Sequence, residues 1–192
     1  MADDLGKDAE TISKINELVA RADQLKKEEL MDLSSDQDLS IAIMNLISIE
    51  EHLIFSGSKT GKGKFYDLVN PIRQMRKELL QRIVVNPEGE VWCTSKHLLA
   101  ASMRLMEVGT KAQSSGKPDD AEDLFGKSFD LYSLFWGLNM NLIGDGEAKA
   151  TAESAAETPR PLPDGSGDKA KNSAILAPLK AFVKKAVDCC RE

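Results

Sequence analysis

Apolar residues recur at three- to four-residue spacing from Ile12 to Leu142, and this rhythm predicts an all-α protein: an antiparallel bundle of four to five helices, followed by a linker and a terminal amphipathic helix. Between Lys7 and Leu33 the apolar positions Ile12, Ile15, Leu18, Val19, Ala22 and Leu25 form one narrow stripe, the pattern of an outer helix that packs by a single edge. Ser34-Ser35-Asp36-Gln37 then offers a capping box, from which a second helix is expected to run to about Phe55. That helix is apolar nearly all round, with Leu39, Ile43, Leu46, Ile47, Leu53 and Phe55 among its members, so it is expected at the centre of the bundle. Gly57, Gly61 and Gly63 predict its end and a basic loop over residues 56–64 that carries Lys59, Lys62 and Lys64.

Helical period continues from Phe65 to Ile83 through Asn70-Pro71, where a kinked single helix and a fresh start with Asn70 as N-cap fit the pattern equally. Asn86-Pro87-Glu88-Gly89 predicts a turn, and Glu90 to about Ser115 the next helix. Gly116-Lys117-Pro118 breaks it. Pro118 opens the last helix of the bundle, with Asp119 and Asp120 placed to complement the amino-terminal dipole. From Gly144 to Lys171 the composition changes to Ala, Gly, Ser, Pro and acid, with too little apolar surface to offset the entropy of ordering. Beyond it Ile175, Leu179, Phe182, Ala186 and Cys190 share one face of a predicted helix, with Lys180, Lys184, Lys185 and Arg191 on the other. The organisation read from the chain is an amino-terminal amphipathic helix (1–34), a helical core (35–143), a flexible linker (144–171) and a tethered helix (172–192).

Gly109, Gly116, Ala121, Phe125 and Ser128 stand at the separations that small and aromatic residues hold in a tetratricopeptide-type repeat, and residues 102–133 resemble one such hairpin. The resemblance implies two antiparallel helices in close approach, with Phe125 wedged between them. The repeat's usual Trp, Tyr and closing Pro are replaced here by Leu105, Ala112 and Ser133, and no second copy is visible. The resemblance therefore implies the hairpin and not the peptide groove, which forms between stacked repeats.

Composition narrows the function classes. A chain of 192 residues with 42% hydrophobic residues can bury a core without staples, and its net charge of −6 disfavours general binding to nucleic acid or anionic membranes. The cysteines are three, Cys93 and the vicinal Cys189 and Cys190, an odd set expected to remain as thiols. Met1-Ala2-Asp3-Asp4-Leu5 carries acid where a secretory signal has basic residues, so a cytoplasmic location is expected. The most apolar stretches, 41–49 and 131–143, are interrupted by Asn or Ser and are expected to fall short of a membrane span.

Three candidate chemistries remain. Cys93 and His97, four residues apart, share a helix face, and His52 could add a third donor; zinc suits such a set, with Cys189 or Cys190 completing the shell. Ordinary packing and hydrogen bonding of the same residues is the competing account. A di-iron bundle needs Glu three residues before each His, and Ile49 and Thr94 stand there instead. Lys62, Arg73 and Arg76, with Lys59, Lys64, Lys77 and Arg82, form the one concentrated basic region, open to an acidic partner or to RNA or ribosomal phosphates; a solvated helix face is the alternative. Ile175, Leu179 and Phe182 form an apolar face that could dock on the chain's own bundle or on a partner, including a second copy. No catalytic set is read, and no cofactor is expected beyond the zinc alternative. The leading expectation is a noncatalytic helical interaction or scaffold module.

Overall fold

The structure is a computed structural model that describes residues 9–20, 33–84, 90–143 and 168–186, and every regular element among them is a helix. In chain order these are α1 (9–20), α2 (Ser34–Thr60), α3 (Lys64–Asp67), α4 (Val69–Ile83), α5 (Val91–Ser114), α6 (Pro118–Asn139) and α7 (Asp168–Ala186). The all-α class follows directly. Residues 21–32 of the expected first helix, the expected 86–89 turn and most of the expected linker lie outside the described residues. α7 begins at Asp168, four residues inside the stretch that reads as linker.

Local chemistry sets the boundaries, with several departures from the sequence pattern. At the start of α2 the N-cap is Leu33, which has no side-chain cap, and Gln37 N donates to Leu33 O at 2.8 Å. Leu33 packs partly buried against the core, and the helix begins one residue earlier than Ser34 as N-cap would place it. α2 does not stop at Gly57. It continues to Thr60 and ends where Gly61 takes the left-handed conformation, at φ +66°, which a residue with a Cβ rarely adopts. Gly57 is instead an interior contact: a Cβ there would lie 2.6 Å from the Tyr66 ring. The basic loop expected over 56–64 thus shrinks to residues 61–63.

Asn70 is not an N-cap. Leu68 already has helical dihedrals and α4 starts at Val69, so Pro71 falls in the first turn, where its missing N–H has no helical acceptor in any case. Pro118 opens α6 with Asp119 and Asp120 in the first turn, as the sequence predicts. Pro178 lies inside α7.

One core cluster joins α1, α2, α4, α5, α6 and α7 through fully buried Ile15, Ile43, Leu80, Leu99, Phe135 and Phe182. The central helix is α6 and not α2: Ser133 through Leu138 are six consecutive buried residues, whereas Ile41, Ile49 and Phe55 of α2 are exposed, Phe55 by 63%. Among the described residues α2 packs mainly against α3, α4 and α5, and these leave part of its apolar surface uncovered. α5 and α6 pack antiparallel, as the pairs Ser95–Asn139, Ser102–Ser128 and Gly109–Phe125 require. The Phe125 ring rests against Gly109, where a Cβ would sit 2.7 Å from its nearest carbon.

Because α2 runs through Gly57, it is 27 residues long and is, by length and composition, apolar enough to cross a membrane. The helix is thus longer than the 41–49 stretch that the apolar pattern alone marks out. Core helices of soluble proteins meet the same criterion, and α2 here packs against α4 and α5.

Candidate functional site

Gly137 leaves a bare stretch of backbone on α6, and α7 uses it. Both methyl carbons of Leu179 lie 2.8 Å from the point that a Cβ on residue 137 would occupy, so the leucine is seated directly on the main chain. Ile175, Leu179, Phe182, Val183 and Ala186 recur at helical spacing and are all buried, Leu179 and Phe182 completely. The predicted apolar face of the terminal helix is therefore turned inward, onto the chain's own bundle.

The groove is shaped at one end by the exit from α6. Asn141 takes a left-handed conformation, φ +57°, and the amides of Leu142 and Ile143 both donate to Gly137 O, at 2.8 and 3.3 Å. This turn folds Ile143 back beside Leu179, with its terminal methyl 3.3 Å from the same empty Cβ position. Polar contacts set the register: Lys180 Nζ lies 2.6 Å from the Asp130 carboxylate of α6, and Lys185 Nζ donates to Val19 O of α1 at 3.3 Å.

The basic candidates separate. Lys62 is exposed in the turn between α2 and α3. Arg73 and Arg76 converge on Glu50 of α2, with Arg73 Nε 2.9 Å from Oε2 and Arg76 Nε 2.6 Å from Oε1. Arg73 remains exposed, but Arg76 is buried and cannot be presented to a phosphate or an acidic partner, as the sequence pattern suggested. Its place follows from Glu50, which occupies the inner face of α2 and carries a charge that must be compensated there. Burial alone would raise the Glu50 pKa, yet the hydrogen bonds from Arg76 and Arg73, together with their charges, hold it below the usual carboxylate range. A readable mark existed: Arg76 interrupts the apolar row Val69, Leu80, Ile83, a position that faces inward. The adjacent Glu51 pairs with Arg104 of α5, whose Nη1 also contacts Glu107 at 2.6 Å.

His52, Cys93 and His97 are all exposed, and among the described residues no three His, Cys, Asp or Glu side chains are grouped so that they could hold a metal ion. The three do not converge. Partial desolvation of the imidazole, and then the charge of Lys96, lowers the His97 pKa from the ordinary histidine value. Cys189 and Cys190 lie outside the described residues.

Comparison with family models, with curated proteins and with solved structures returned no match.

Proposed function

We propose that the protein is a noncatalytic helical interaction module whose binding surface is the face of α6 occupied by α7. The observation that carries this reading is the seating of Leu179 on Gly137: a groove that lacks one side chain receives a protruding leucine from an amphipathic helix. Its apolar floor and its acidic edge at Asp130 suit a helix with leucine- and phenylalanine-type anchors one turn apart and a lysine beside them, the pattern that helix-in-groove recognition uses. An external helix of that pattern competes with α7, whose effective concentration is raised by its covalent connection to the bundle.

The test uses a fluorescent peptide of residues 168–192 and the full-length chain. Wild-type protein binds the peptide weakly, because its own α7 fills the groove. The Leu179→Glu variant, whose α7 no longer docks, binds at least about tenfold more tightly. A peptide that binds neither protein removes the reading.

A further inference from the structure

Between α2, α5 and α6 lies an open-sided cavity of about 290 Å³, lined by none of the residues that hold α7. Its walls are Ile41, Met44, Met106, Phe125, Phe129 and Tyr132. Ile41 and Met106, at the mouth, are 44% and 43% exposed, unusually open for large apolar side chains that border a concavity.

The hydroxyl protons at this site are donated within the protein. Ser102 Oγ donates to Ser128 O at 2.9 Å and Ser128 Oγ to Ser102 O at 2.8 Å. Ser40 Oγ donates to Gln37 O at 2.7 Å, so the 2.8 Å contact between Ser40 Oγ and Tyr132 OH is donated by the phenol. Apolar side chains make up most of the lining, so an occupant is held chiefly by apolar contact; Gln37 is the polar side chain at the cavity outside this network. The volume corresponds to about ten water-sized groups at about 30 Å³ each. That lies at the low end for small-molecule sites. A partner helix would need a row of anchor pockets one turn apart, whereas this is one cavity. Two methionines supply walls that re-pack around a flexible guest.

We infer that this cavity binds the alkyl chain of a small single-chain amphiphile, about ten carbons long, with its polar end in solvent at the mouth between Ile41 and Met106. The Phe125 ring, which rests on Gly109, forms the fixed wall against which the chain lies.

The experiment titrates full-length protein, carrying ¹³C-methyl methionine, with 1-decanol and separately with decanoate. The Met44 and Met106 methyl resonances shift together and saturate with either ligand, while that of Met75, exposed on α4, does not move. Ile41→Trp, which closes the mouth, and Gly109→Ala, which drives the Phe125 ring into the cavity, each weaken binding about tenfold or more with the remaining resonances in place. No saturable shift with either ligand overturns the inference, as does a parallel shift of Met75. Binding to phosphatidylcholine vesicles but to neither free amphiphile also overturns it, since the occupant would then be a bilayer surface.

Discussion

Arg76 of α4 reaches through Nε to the carboxylate of Glu50 on α2, 2.6 Å away, and both residues are more than nine-tenths buried. Removing one partner from such a pair leaves a buried charge uncompensated, at a cost of about 3–5 kcal/mol. Glu50→Leu should therefore lower stability by that order in urea or thermal unfolding. Adding Arg76→Met to Glu50→Leu should recover most of the loss, because an apolar pair of similar volume needs no compensation. Equal stability of the single and double variants would show that the pair is not coupled.

The same network sets a pH dependence. The folded Glu50 pKa is lower than the unfolded value near 4.5, so folding is favoured by the ionised form. Its contribution is complete above about pH 4.5 and is lost as pH falls through the lower folded value. Urea midpoints measured from pH 7 down to pH 3 should fall more steeply for wild type than for Glu50→Gln, which cannot titrate. Parallel profiles would contradict this account.

Two glycines separate by what their neighbours can do. At Gly137 an added methyl meets fully buried Leu179, which has nowhere to go, so Gly137→Ala should cost about 1–3 kcal/mol of overpacking. Amide hydrogen exchange should localise the damage to residues 175–186. At Gly57 the methyl meets Tyr66, a residue 45% exposed whose ring can give way outward at the expense of its exposed 3.0 Å hydrogen bond to Ser58. There the gain of about 1 kcal/mol in helix propensity offsets the lost contact, and Gly57→Ala should unfold within about 1 kcal/mol of wild type.

Charge reversal reads the register of α7. Asp130→Lys or Lys180→Asp alone should speed amide exchange across residues 175–186, and the two changes in one chain should restore wild-type protection. Failure of the double variant to restore it would mean that the ion pair does not position the helix.

The fold class was legible because burial imposes helical spacing on apolar residues, and Pro118, Gly116 and the Ile175–Phe182 face are placed as that spacing requires. The pattern fails where one residue type serves two purposes. Gly57 looks like a terminator, yet it is small because Tyr66 lies on it; Gly61, four residues later, is the true stop. α2 carries more apolar residues than its neighbours cover, so hydrophobicity alone pointed to the wrong central helix. Arg76 looked like part of a surface patch because charge is usually outside, and only its phase with Leu80 and Ile83 marks it as inward. The α7 groove was the least legible element of the site. One half of it is the absence of a side chain at Gly137, which no periodicity reports.

Pro178 has a consequence for the terminal segment. Its ring takes an amide out of the middle of α7 and strains the turn before it, a penalty near 3 kcal/mol for a helix standing alone in water. Only the neighbouring helices make up that deficit. Departure of the segment from them and its melting are therefore a single event, which circular dichroism would register as lost ellipticity.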